Sequence, residues 1–436
     1  MFVVISPRRV HPRAPQFRSV CFALSLAAAL IAAGVMPTIA LAEDAAPTAA
    51  PSATADAAVR HNERGLKLTN EGRHLEAVEA FRRAYKAAPD DLVIRRNLAL
   101  ARSNVAVQLL GKGDLANATH NAEEALKLAP DDPIVVLNVA ACRDEQGFPA
   151  QAAEFVRRAR KVGADDPHVR ARMGAVLYRE GDLAGAIDEW RAAAKLAPAD
   201  RALAARLARA EKAAAAEASL TPQLSSHFEV LHDAESAVLA SLVLRELEDA
   251  HRVVGADIQT SPTGPVRVVL LSSEQFRSTT GTNTWVAGLY DGRIRLPVKD
   301  VPEPKALLAR ARHEYVHAAL APLGKRAPSW LHEGIAQVHE GRSAAAATAR
   351  VRRAAAIPFT DLTRSFASTR QESRARQQYD TALAFVAWLR AGERGSQFRL
   401  AMQRLFADWT REKAFDDAYG ASLPDLYQRF QQAQQR

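Results

Sequence analysis

A register of 34 residues constrains the first half of this chain more than any other feature. Gly72, Gly113, Gly147 and Gly181 each precede one alanine by five residues (Ala77, Ala118, Ala152, Ala186) and a second by twelve (Ala84, Ala125, Ala159, Ala193). Seventeen residues past each glycine stand Pro89, Pro130, Ala164 and Pro198, and the intervals between the glycines are 41, 34 and 34 residues. Such a register belongs to one helical hairpin repeated along the chain. The glycine turns one helix into the next, the alanines let the pair close up, and the proline stops the second helix. The longer first interval lengthens the first helix of the second unit, near Asn97 to Leu110, by about two turns. The third unit lacks its terminal proline. Arg201 to Ser219 reads as a helix closing the stack.

A period of 34 resembles that of tetratricopeptide repeats, which implies a helical solenoid over 58–220 whose groove binds a protein partner or presents a substrate. From Ser225 the periodicity changes. His227 to Leu231 alternates like a strand, and Ala234 to Gly255 reads as an amphipathic helix. Pro265 to Leu271 reads as a buried strand, and Leu289 to Leu296 as a hairpin around Asp291-Gly292. This second domain is expected over 221–436, with Phe406, Trp409, Phe415, Tyr419 and Phe430 in its core.

The chemistry concentrates in His313-Glu314-Tyr315-Val316-His317 and Trp330-Leu331-His332-Glu333-Gly334-Ile335-Ala336. Two histidines at i and i+4 project from one helix face and can grip one divalent ion. A glutamate beside the first can polarise water on that ion, and a catalytic zinc needs a third protein ligand, for which Glu333 is the candidate. Pro322-Leu323-Gly324 ends the first helix and Pro328-Ser329 starts the second, so the two can lie antiparallel and swing Glu333 back to the histidines. Gly334 removes a side chain where helices must approach closely. These runs resemble the gluzincins, the thermolysin-like metallopeptidases, and within them the bacterial peptidase MA-like family with its W-L-x-E-G-x-A helix. The resemblance implies an α+β domain over about 225–430, Zn²⁺ on His313, His317 and Glu333, and Glu314 as general base. The competing reading of the same residues is a surface helix carrying two histidines and a solvated glutamate.

Other candidates divide less sharply. Tyr379 opens a helix similar to one that in gluzincins carries an oxyanion donor, and it reads equally as a core tyrosine. His332 points about 100° away from Glu333, and His339 and Glu340 lie almost two turns beyond it, so none is expected as a ligand.

The first 42 residues stand apart. Arg8, Arg9, Arg13 and Arg18 precede an apolar run from Val20 to Ala33, and Ala40-Leu41-Ala42 fits a cleavage site. This is the pattern of a bacterial leader, implying a periplasmic or secreted protein with no stable membrane insertion after cleavage, or alternatively an uncleaved anchor facing the periplasm. Residues 43–57 read as a disordered Pro/Ala/Thr linker. The leader holds four arginines and no acids, which leaves +5 of the formal +9 on the remainder. That mild excess has no basic block interleaved with aromatics, and it disfavours nucleic acid as a partner. Cys21 falls in the leader, and Cys142 alone cannot make an internal disulfide.

The sequence thus predicts an α-helical tetratricopeptide solenoid followed by an α+β gluzincin-type domain: an exported zinc metallopeptidase acting on a protein or peptide substrate. The alternatives are a repeat scaffold carrying an inactive peptidase-like domain, or a metal enzyme acting on cell-wall or other non-peptide amides.

Overall fold

The computed structural model describes residues 2–5, 19–21 and 53–435, apart from 164, 263, 281–285, 299–302, 365, 367–368 and 370. The leader's arginines, its Ala40–Ala42 site and linker residues 43–52 lie outside the described residues. No helix among the described residues is long and apolar enough to cross a membrane. The chain forms two compact units, one of residues 25–176 with 189–198, the other of 1–24, 177–188 and 199–436.

The helices of the repeats are α1 (Ala53–Asn70), α2 (His74–Ala87), α3 (Leu92–Lys112), α4 (Leu115–Leu128), α5 (Pro133–Glu145), α6 (Pro149–Val162), α7 (Pro167–Arg179) and α8 (Leu183–Leu196). The first begins at Ala53, so the linker expected to run to residue 57 is shorter. All four register glycines have φ between 74° and 86°, a left-handed conformation that side chains resist. Every alanine of the two register positions is buried, as close helix packing requires. At 21 residues, α3 carries the two extra turns that the first interval predicts. In the third unit Gly163 follows the end of α6, and a Cβ there would lie 2.6 Å from that of Pro133, so close packing on α5 replaces the missing proline. Aspartates supply the helix starts. Asp91, Asp132, Asp166 and Asp200 each accept backbone N–H groups of the following turn, caps that contribute roughly 1 kcal/mol apiece.

The helix expected to close the stack, α9 (Arg201–Glu217), belongs instead to the second unit. Ala216 and Leu220 pack on Leu231, Val269, Leu271, Phe276 and Leu289, which cover one face of a sheet. The sheet strands are β1 (Phe2–Ile5), β2 (Ser19–Cys21), β3 (Thr221–Leu224), β4 (Phe228–His232), β5 (Val266–Leu271), β6 (Val286–Tyr290) and β7 (Ile294–Pro297), in the order β2-β1-β6-β7-β5-β4-β3. β4, β5 and β7 run parallel, while β6 returns antiparallel through Asp291-Gly292, pairing Tyr290 with Ile294. Outside β6 lies β1, also antiparallel, so β6 is not an edge of the sheet.

Because side chains alternate across the sheet, Val230, Val268, Leu270, Ile294 and Leu296 turn to the opposite face and join the main core. That core is shared with α10 (Ala237–Ile258), α12 (Pro304–Leu320), α13 (Ser329–His339), α16 (Glu372–Leu389) and α17 (Arg394–Phe406). The remaining helices are α11 (Ser273–Thr280), α14 (Ala344–Arg353), α15 (Phe359–Thr363), α18 (Arg411–Tyr419) and α19 (Leu423–Gln435). Phe415, Tyr419 and Phe430 are buried in the core as expected, whereas Phe406 and Trp409 are only partly buried and pack against it.

Candidate metal centre

Pro304 opens α12 at a position where its missing N–H costs nothing, and Leu307, Ala311, Tyr315, Val316 and Leu320 bury it on several sides. His313 and His317 therefore project within protein, with ring centroids 4.9 Å apart. Gly324, at φ 51° and ψ −131°, kinks the short 3₁₀ segment Ala321–Arg326, and α13 returns. Trp330 anchors α13 against Phe385 and Phe415, at centroid separations of 5.0 and 6.0 Å.

The return brings Glu333 between the histidines. Glu333 Oε2 lies 3.5 Å from His313 Nε2, and Oε1 lies 3.6 Å from His317 Nε2. All three side chains are fully buried, and one ligand atom from each lies within 4.8 Å of the others. Glu314 is equally buried, and among the described residues neither of its carboxylate oxygens takes a hydrogen bond, nor does His313 Nε2 find a partner. Two imidazoles and a carboxylate, aimed at one point away from water, form a donor set suited to zinc. A buried ion would compensate polar groups that the protein leaves unmatched.

Other side chains hold the far side of each histidine. Glu340 Oε2 lies 3.1 Å from His313 Nδ1 and accepts from Arg342 Nε at 2.9 Å. His332 Nδ1 lies 3.4 Å from His317 Nδ1. Burial lowers the His332 ring to about 3, so it is neutral and can accept the Nδ1–H of His317, leaving Nε2 of that ring to face Glu333. Burial opposes charge on His313, but the neighbouring carboxylates of Glu333 and Glu340 raise it to about 10. Burial also works against a charged Glu340, yet Arg342 and His313 hold it down at about 2. For Glu314, burial comes first; the Glu333, Glu340 and Asp291 charges add to it against His313, and the carboxyl is raised well above its ordinary range.

Neither His332 nor Glu340 joins the converging set, but both touch its histidines, which sequence reasoning missed. The signal was present for Glu340, seven residues after Glu333 and hence on the same helix face. In an antiparallel return, that face passes His317 first and His313 later. His339 is used elsewhere, bonding Asp257 at 2.8 Å. Tyr379 lies in the core, edge-on to Phe366 at 5.2 Å, with its carbonyl accepting from Gln337 of α13.

Two glycines shape the site. At Gly288 of β6 a Cβ would lie 2.7 Å from Glu314 Oε1, so the strand can pass this close to the carboxylate only without a side chain. At Gly334 a Cβ would lie 2.3 Å from Val386 Cγ2 and 2.7 Å from the Ala382 carbonyl oxygen, both on α16. Gly334→Ala should therefore cost about 1–3 kcal/mol despite the better helix propensity of alanine. Thermal unfolding checks this; an unchanged or higher Tm would show that α13 and α16 separate without penalty.

Comparison with known proteins bears on the repeats. A family model described as tetratricopeptide repeat matches residues 109–175. Solved structures that match include a thermophilic tetratricopeptide protein of Thermus thermophilus, 21% identical over 36% of this chain and 99% of that one, with TM-score 0.23. A mutant form of MamA matches at 21% identity over 36% and 88%, TM-score 0.27. YrrB, described as having an unusual peptide-binding site, matches at 16% over 34% and 72%, TM-score 0.26. No curated protein matches the chain. The tetratricopeptide assignment rests on the family match and on the register of glycines and alanines.

Proposed function

We propose that the chain is an exported, zinc-dependent metallopeptidase of gluzincin type whose tetratricopeptide repeats engage a protein partner or a substrate. The observation that supports it most is the convergence of His313, His317 and Glu333, fully buried, with ligand atoms within 4.8 Å of one another. A zinc ion held there would supply Lewis acidity and bring the pKa of water towards neutrality. Glu314 would take the proton of the attacking water and return it to the leaving amine. Glu340 and His332 would fix the tautomers and ring planes of His313 and His317. Tyr379 is proposed only as an oxyanion donor that would have to turn from its core position.

β1 occupies the outer side of β6, with Val4 opposite Gly288, so an extended substrate would take that side only where β1, which lies within the expected leader, has left it. A leader over 1–42 would take the chain to the periplasm or beyond, or anchor it there.

The test compares hydrolysis of an unfolded protein by the wild type and Glu314→Gln, with zinc measured on both. The scaffold reading draws on the family match, which falls in the repeats, and it prevails if neither protein hydrolyses anything. Glu340→Gln should weaken zinc binding roughly 10–100-fold, the usual effect of losing a partner behind a histidine ligand. Competition with a chelator of known affinity measures it; unchanged affinity would leave Glu340 a merely structural acid.

A further inference from the structure

The hairpin that carries Gly288 is held by residues far earlier in the chain than the domain expected to contain the site. Tyr178 Oη donates to Asp291 Oδ2 at 2.7 Å and accepts from Arg295 Nη2 at 2.9 Å. Arg295 Nη1 donates to the same Asp291 oxygen at 2.5 Å. Arg293 Nη1 donates to both Glu217 oxygens at 2.9 Å, and its Nη2 donates to the Gly181 carbonyl at 3.0 Å. Both arginines are at most 1% exposed, so each relies on these partners in place of water. Gly292, at φ 108°, seats the tip: a Cβ there would lie 2.6 Å from the Tyr178 carbonyl oxygen and 2.8 Å from that of Arg179. Residues 177–188 belong to the same compact unit as the sheet.

We infer that Tyr178 is a positioning residue for the candidate site. Through Asp291 and Arg295 it holds β6 at the separation from α12 that sets Gly288 against Glu314. The catalytic consequence rests on the peptidase reading, whereas the structural one does not. Tyr178→Phe deletes one hydroxyl and keeps the ring, whose centroid lies 5.7 and 5.9 Å from the Arg293 and Arg295 guanidinium carbons.

The experiment uses the full chain loaded with zinc and reads hydrogen–deuterium exchange beside steady-state peptide hydrolysis. In Tyr178→Phe, amides of 286–297 should exchange about tenfold faster, the scale of one hydrogen bond to a charged group. Amides of 304–320 and the zinc content should not change. The KM for an extended peptide should rise about tenfold, with a smaller change in kcat, because the strand that aligns the peptide is loosened while Glu314 stays on α12. Asp291→Asn should reproduce the pattern. Unchanged exchange across 286–297 in both variants would overturn the inference, as would faster exchange with wild-type KM. If the wild type shows no Glu314-dependent hydrolysis, the peptidase reading fails, and exchange alone decides whether Tyr178 holds the strand.

Discussion

Glu314→Gln should give a folded, zinc-loaded protein whose peptide hydrolysis is lower by at least ~10², the scale of general-base catalysis. Glu314 is not one of the three converging donors, and its two oxygens take no hydrogen bond from the described residues. Removing its charge therefore leaves no protein donor stranded. Glutamine keeps the shape and one acceptor oxygen but cannot take a proton at neutral pH. Burial already disfavours the charged form of Glu314, so an uncharged amide should fit with little loss of stability. Zinc content and Tm within error of wild type, with hydrolysis lower by at least ~10², is the expected combination. Hydrolysis that survives at wild-type rate would remove Glu314 from the chemistry.

Much of this arrangement was legible in the residues, for identifiable reasons. Glycine at a left-handed turn and alanine at a helix contact have few substitutes, so the register from Gly72 to Gly181 revealed the helical hairpins one by one. The i, i+4 histidines and Glu333 were legible because helix geometry converts spacing into direction. The fate of α9 was not legible. Its alanine-rich sequence suits any helical surface, and its packing on the sheet depends on Leu231, Val269 and Leu271, distant in sequence. The clamp on β6 was hidden for the same reason. Tyr178 lies 113 residues before Asp291, and the hairpin spacing does not announce that Arg293 and Arg295 are buried. Gly288 also gave no signal, because a glycine in a strand has several explanations and only the nearby Glu314 carboxylate selects one.

Loss of a ligand should separate metal binding from folding. The purified protein should hold about one zinc per chain, as a three-ligand site predicts. His313→Ala or His317→Ala should lose it, a larger effect than the ~10–100-fold expected at Glu340. The helical circular dichroism should survive largely intact. The repeats bury their own clusters, such as Val136, Val156, Val169 and Val176, in a unit without any of the ligands. Each alanine would open a small void in a buried site, so some loss of Tm in the second unit is expected alongside. Glu333→Gln isolates the charge. It retains volume and an oxygen donor but replaces a carboxylate by a neutral amide, a weaker partner for a dication, so zinc should bind less tightly without a void. Zinc titration of the three variants beside Glu314→Gln orders the four residues by role. Full occupancy in all of them would place the ion elsewhere. Loss of zinc in Glu314→Gln with retention in Glu333→Gln would exchange the roles of the two glutamates. The buried geometry argues against that exchange, because Glu333 alone of the two lies within 3.6 Å of both histidine Nε2 atoms.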